Sequence, residues 1–194
     1  METGRMMTAV VGGAAAGLVG TLAMDLLWFK RARDAGSDAE FSDFEFSGDV
    51  TDFDEAGAPA KLAQMGAEAV GTSIPEEHAG TATDVVHWAT GAGYGSLTAA
   101  GAAAIGLNPL AAGLAAGALA FTGAYTILPA LGLYDPAWEY DGKTLAKDAT
   151  AHATYGAGTG VALAAIGLVS TAIRRRNQPR HVAARTALVA ALTD

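Results

Sequence analysis

Long apolar runs separated by short charged blocks constrain this chain more than any other feature. The run from residue 6 to residue 29 contains one ionisable side chain, Asp25, and ends at the basic sequence KRAR. Three further runs of about 20 or more largely apolar residues follow. At 1.5 Å per helical residue, each run is long enough to cross a hydrocarbon core of about 30 Å. The pattern predicts membrane-spanning helices rather than one soluble core.

The four predicted spans cover roughly residues 7–29, 81–107, 110–133 and 145–173. Asn108 and Pro109 separate the second span from the third and favour a tight turn, because proline disfavours helix at the residue before it. An acidic extramembrane loop covers residues 30–80, and a basic tail covers residues 174–194. We therefore expect a single all-α membrane domain over residues 1–194, an integral four-helix bundle.

The second and fourth spans begin with the same phrase. HWATGAGYG starts at residue 87 and HATYGAGTG at residue 152, and five of the nine positions are identical. AAAIGL at 102–107 is matched by LAAIGL at 163–168, and the first and third spans share the weaker pair GAAAG and GLAAG. The repetition predicts two related helical hairpins of the same orientation, a two-plus-two arrangement.

Glycines four residues apart recur along these spans. Residues at that spacing share a helix face, and helices in a bilayer associate through the close packing that small residues permit. We predict that six glycines are helix-packing positions: Gly13, Gly17, Gly91, Gly95, Gly156 and Gly160. So small a bundle with glycine faces also favours a homo-oligomer or another membrane protein as partner.

Carboxylates and imidazoles recur together where the second and fourth spans begin. Asp84 precedes His87 by three residues and Asp148 precedes His152 by four, spacings that put both groups on one helix face. Ionisable groups within spans are costly and often functional. We predict that these residues meet at one end of the bundle with Asp25 from the first span. Glu139 joins the set from the preceding loop.

Three interpretations of this polar set stay open. In the first, it forms a path for protons, ions or a small solute, with histidine titrating near neutral pH. In the second, each Asp–His pair only orients a helix end in a non-transporting structural or assembly protein. In the third, His87 and His152 hold a transition metal or a haem in a redox protein. We expect the first, with no resident cofactor. No nucleophile elbow, nucleotide loop or zinc-protease motif appears, so an enzyme is the less favoured class.

The charge distribution indicates which partners to expect. The net charge of −8 lies in the connecting segments and argues against nucleic-acid binding. The apolar spans make the lipid bilayer the expected partner. Lysines and arginines number six on each side of the predicted spans, and the cluster Arg174–Arg176 favours a cytoplasmic C-terminus. The absence of cysteine excludes disulfides and thiolate metal sites.

The acidic loop mixes carboxylates with four phenylalanines, in the run DAEFSDFEFSGDVTDFDE. This composition predicts a mobile, solvated segment whose aromatic side chains dock on the membrane surface. Residues 58–70 are typical of a short amphipathic helix lying on the interface. No spacing of the carboxylates matches a calcium-binding loop.

The second half of the chain carries motifs of a known family. Residues 114–156 combine a Gly/Ala-rich span, a P-x-x-G-L-x-x-P turn from Pro129 to Pro136, the pair Trp138 and Glu139, and a histidine that opens the last span. These features, and the run TDVVHWATGAGYG before them, resemble the YagU-like family of small bacterial inner-membrane proteins. The resemblance implies a multi-pass inner-membrane protein and draws attention to Pro129, Trp138, Glu139 and His152. It implies no reaction.

Overall fold

The computed structural model describes residues 3–47 and 50–177, without the side chains of Arg5 and of residues 173–177. Within these ranges the chain forms helices and no strand, which confirms the predicted all-α class. The α-helices are α1 (Thr3–Asp34), α2 (Phe41–Glu45), α3 (Ala58–Ala69), α4 (Ala79–Ile105), α5 (Pro109–Ala124), α6 (Ile127–Ala130) and α7 (Gly142–Asn177). Short 3-10 turns, Glu76–His78 and Ala137–Glu139, precede α4 and α7. Residues 174–177 of the predicted basic tail continue α7, and residues 178–194 lie outside the described residues.

Three described helical segments are long and apolar enough to cross a membrane, namely Met6–Asp34, Pro109–Ala130 and Gly142–Ala172. They include the first predicted span and most of the third and fourth, and they indicate a membrane protein. Helix α4, which matches the second predicted span, has 27 residues. It is not one of the three segments, because no long stretch of it is as apolar as they are. Its first turns carry Asp84 and His87, and glycine, threonine and serine occupy many later positions. A membrane-crossing α4, and with it the four-span bundle, stays a prediction.

A tight turn joins α4 to α5 at the predicted position. Gly106 caps the end of α4, and its φ of 73° is the left-handed conformation that glycine adopts readily. The amide of Leu107 then donates to the carbonyl of Ala102 at 3.0 Å. Asn108 caps α5, because its side chain accepts a hydrogen bond of 2.9 Å from the amide of Ala111. The two helices therefore run antiparallel.

Close glycine crossings join α1 to α4 and α5 to α7, each pair antiparallel. The facing glycines are Gly13 and Gly17 with Gly95 and Gly91, and Gly113 and Gly117 with Gly160 and Gly156. A methyl group on Gly95 would overlap the carbonyl oxygen of Gly13, and one on Gly113 would overlap the backbone of Gly160. The helix backbones therefore touch where no side chain fits. Gly113 and Gly117 were not among the predicted packing positions.

The four long helices enclose a common interior, because α1 also contacts α7 and α4 also contacts α5. The middle of this interior is filled by small side chains and by Tyr155, which is 2% exposed. The Tyr155 hydroxyl donates to the carbonyl of Gly91 at 2.6 Å and so ties α7 to α4. The hydroxyls of Thr21 and Thr159 donate to carbonyls one turn earlier in their own helices, so both buried groups are satisfied.

The acidic loop is folded against the helix ends, which differs from the solvated segment expected from its composition. Phe53 is 7% exposed and packs in a small core of alanines from α3, α4 and the loop before α3. The ring of Phe29 of α1 meets that of Phe41 edge-on and that of Phe44 at a tilt, with ring-centre distances of 5.3 and 5.5 Å. The expected amphipathic helix forms as α3, but it packs on α4. The alanine-rich starts of α3 and α4 form a protein surface on which Phe53 packs.

Candidate functional site

A cavity of about 460 Å³ lies at one end of the four long helices, with α3 and α6 completing its wall. Both repeated histidines line it, His87 from α4 and His152 from α7. Asp148, Tyr94 and Tyr155 also reach the wall, and Leu62 and Pro59 of α3 contribute apolar surface. This volume falls within the usual range of small-molecule sites, about 300–1,000 Å³.

His87 is bonded to a carboxylate of another helix. Its Nε2 lies 3.0 and 3.1 Å from the two carboxylate oxygens of Asp25, a residue that is 7% exposed. The sequence spacing pointed instead to Asp84, on the same helix as His87. In the structure Asp84 Oδ1 accepts a hydrogen bond of 3.1 Å from the amide of Ser47. Asp84 therefore fastens the acidic loop to α4, and Asp25 orients the imidazole.

His152 is oriented by its own helix. Its Nδ1 lies 3.0 Å from the carbonyl oxygen of Asp148 and 3.4 Å from Asp148 Oδ1. A carbonyl oxygen only accepts, so Nδ1 carries a proton and Nε2 is the remaining nitrogen. The ring of Phe121 meets the imidazole edge-to-face at 5.6 Å. The pair Asp148–His152 is thus local, unlike the pair that joins Asp25 to His87.

The two imidazoles do not fit the third interpretation, a haem or metal held between them. Histidine usually ligates haem through Nε2, and in His87 this nitrogen already faces Asp25. Within residues 3–47 and 50–177, no group of three or more His, Asp or Glu side chains is arranged to hold a metal ion. The geometry therefore favours binding through hydrogen bonds and charge over ligation.

Glu45, in the acidic loop, also belongs to the polar set, although no sequence pattern indicated it. Its Oε1 is buried without a hydrogen-bond partner in the described structure. Burial and the nearby carboxylate of Asp25 together raise the pKa of Glu45 to about 7, although His87 opposes the rise. Glu45 is therefore a carboxyl group that titrates near neutral pH beside the Asp25–His87 pair.

Raising the pH is expected to weaken the docking of the loop through Glu45. Between about pH 4.5 and 7 the folded state holds the Glu45 proton and the unfolded state does not, so the free energy of unfolding falls as pH rises through this window. Solvent screening of this partly exposed group reduces the effect to about 1 kcal/mol. Unfolding at pH 5 and pH 8 measures it. Glu45→Gln is expected to lose this part of the pH dependence, and Glu40→Gln, on the exposed side of the same loop, is expected to keep it.

Hydrogen bonds and a cation–π contact of Arg31 lie at the same end of the bundle, where α1 meets α7. The guanidinium of Arg31 donates to the carbonyl of Lys147 at 2.9 Å and to the hydroxyl of Thr150 at 2.6 Å. It also lies over the ring of Trp28, 4.7 Å from the ring centre. The carboxylate of Asp148 interacts electrostatically with the guanidinium of Arg31. Arg31, assigned only to the basic flank of the first span in the sequence, thus joins α1 to α7 beside Trp28, which lines the cavity.

Glu139, the sixth predicted member of the polar set, does not reach the cavity. It lies exposed in the 3-10 turn before α7, next to Trp138, which is 84% exposed. The loop contributes Tyr134 instead, which lines the cavity and whose pKa is raised by burial and by the charge of Asp148. The structure therefore brings His87, Asp148 and His152 to one wall, places Asp25 behind it, and leaves Glu139 outside.

No protein-family model, curated protein or solved structure matches this chain. The resemblance to the YagU-like family stays a prediction. The cavity is therefore interpreted from its own residues and contacts.

Proposed function

We propose that this chain is a multi-pass membrane protein that carries protons or a small solute through the interior of its helix bundle. The observation that carries the proposal is the convergence of His87 and His152 on one cavity, although they lie in different halves of the sequence. Histidine side chains inside a bundle with apolar outer faces are typical of proton relays and coupled carriers. A location in the inner membrane, a cytoplasmic C-terminus and a homo-oligomeric assembly belong to the same proposal.

A second cavity supports a path along the bundle. It has a volume of about 440 Å³ and is lined by residues of the opposite ends of the same four helices, among them Thr8, Ala102, Pro109 and Ile166. Between the two cavities lie the glycine crossings and the buried side chain of Tyr155. A path along the bundle would join the two cavities through this closed waist, and alternating access would require the waist to open.

The glycine crossings support the proposed two-plus-two repeat. The first and second predicted spans cross at paired glycines, and the third and fourth do so in the same antiparallel sense. Helix α4 also exposes Val85, Leu97 and Ile105, at 60, 63 and 78%, side chains that suit a lipid-facing surface. We therefore include α4 as the fourth span of the proposed carrier.

Proton flux into proteoliposomes tests this function. With a pH-sensitive dye trapped inside and a potassium diffusion potential as driving force, the wild-type chain is expected to acidify the lumen. The double variant His87→Ala/His152→Ala is expected to reduce the initial rate about tenfold or more, because both imidazoles leave the path. His78→Ala, an exposed histidine outside the cavity, is the matched control and is expected to keep the wild-type rate.

Reconstituted protein is quantified by size-exclusion chromatography, so that each rate refers to folded chain. An unchanged rate in the double variant contradicts the proposed path through the histidines. Loss of folded protein without a change in the rate per folded chain favours the alternative, a structural or assembly protein. The interhelix bond between Asp25 and His87 is the observation that supports that alternative.

A further inference from the structure

Carboxylates lie in the wall of the cavity at the histidine end and directly behind it. Asp148 lies in its wall, and Asp25 lies behind His87. Glu45 and Asp84 are close enough to act electrostatically on the imidazole of His87. The guanidinium of Arg31, which lies over the ring of Trp28, is already bonded to α7. With neutral imidazoles, the carboxylates of Asp148 and Asp25 make this wall of the cavity negative. The field inside the cavity therefore attracts positive charge.

The lining of the cavity is aromatic and apolar rather than a shell of oxygen ligands. Trp28, Tyr94 and Tyr134 face it, together with Met24, Leu128 and Leu62. Aromatic faces attract cations, most strongly where water is excluded, and Trp28 already carries the guanidinium of Arg31 on its ring. An inorganic divalent cation requires several oxygen ligands in a fixed geometry, and the described residues hold no such group.

We infer that this cavity binds an organic cation, a protonated amine or a quaternary onium ion with an apolar body. The apolar body fills a volume of about 460 Å³ against tryptophan, tyrosine and leucine side chains, and the charge lies towards Asp148. As the substrate of the carrier, this class of compound rests on the proposed function. As a bound ligand, it rests on the cavity alone. Protonation of the surrounding carboxylates and imidazoles weakens the attraction, so proton entry and cation release are coupled.

Binding of tetraphenylphosphonium to the purified full-length chain in detergent, measured by isothermal titration calorimetry at pH 8, tests the inference. Tetraphenylborate is the matched control, since it has nearly the same shape and the opposite charge. We expect saturable binding of the cation at one site per chain and no saturable binding of the anion. Equal binding of the two ions, or stronger binding of the anion, overturns the inference, as does the absence of saturable cation binding. This comparison needs no variant.

Two substitutions locate the site. Asp148→Asn is expected to weaken tetraphenylphosphonium binding about tenfold or more, and Asp135→Asn, an exposed carboxylate of the loop before α7, is expected to leave it unchanged. Where Asp148→Asn does not fold, Trp28→Leu replaces it, because it removes an aromatic wall without changing charge. Unchanged binding in a folded variant of either kind contradicts a site in this cavity.

Binding and flux separate this inference from the proposed function. Saturable tetraphenylphosphonium binding with no proton flux and no movement of the cation across proteoliposomes contradicts the carrier and leaves the cation site in place. Proton flux that depends on the histidines, with no saturable binding of the cation, overturns the cation site and leaves the proton path in place.

Discussion

Replacing Gly95 by alanine is expected to destabilise the folded chain by about 3 kcal/mol, whereas the same replacement at Gly93 is expected to be neutral or stabilising. Gly95 lies on the face of α4 that crosses α1, where an added methyl group meets the carbonyl oxygen of Gly13 and lies 2.8 Å from the Cα of Gly17. These are backbone atoms, so no rotamer change relieves the overlap, and overpacking of this kind costs about 1–3 kcal/mol.

Gly93 provides a matched control two residues away on the same helix. An added methyl group there meets nothing within 4 Å, and alanine is favoured over glycine inside a helix by about 1 kcal/mol. Thermal unfolding of both variants in the same detergent, followed by circular dichroism, measures the difference. Equal transitions for the two variants would show that the crossing is not as close as the structure has it.

The proposed repeat extends this expectation to the second helix pair. A methyl group on Gly113 overlaps the backbone of Gly160 and Gly156, just as one on Gly95 overlaps the backbone of α1. Gly113→Ala is therefore expected to be as destabilising as Gly95→Ala. Gly167 of α7, where an added methyl group meets nothing within 4 Å, serves as the control. A tolerated Gly113→Ala beside a damaging Gly95→Ala would contradict two equivalent crossings.

The helices could be predicted from the sequence because their signals are local. Apolar runs of sufficient length, the turn at Asn108 and Pro109, and the charged flanks each act within a few residues. The convergence of His87 and His152 was also within reach, because the repeated phrase puts both imidazoles at equivalent positions of spans that enter from one side. A repeat carries long-range information that a single helix does not.

The partners of these groups could not be predicted, because they depend on how the helices rotate about their axes. Asp84 is the nearest carboxylate to His87 along the chain, yet the rotation set by the glycine crossing turns His87 towards Asp25. Glu45 reaches the same cluster from a loop whose composition predicted a solvated segment. The spacing in the sequence indicates which carboxylates could pair with His87, and the packing of the helices determines which one does.

This difference in partners predicts that the two repeated histidines are unequal in stability. His87→Ala is expected to lower the free energy of unfolding by about 3 kcal/mol, because it leaves the 7% exposed Asp25 without its hydrogen-bond donor, and an unpaired buried charge costs about 3–5 kcal/mol. His152→Ala is expected to cost about 1 kcal/mol, because Asp148 keeps neighbours in Tyr125 and Arg31. Chemical unfolding of both single variants measures the asymmetry.

The variant Asp25→Asn/His87→Ala is expected to recover much of the loss, because a neutral amide carries no charge to be compensated. If His87→Ala and His152→Ala lose stability equally, or if Asp25→Asn fails to restore the first, the interhelix pair is not what holds α1 against α4 at this end. Recovery of stability without recovery of proton flux would separate the two roles of His87. Asp25 would then position the imidazole, and the imidazole itself would be the group that the path requires.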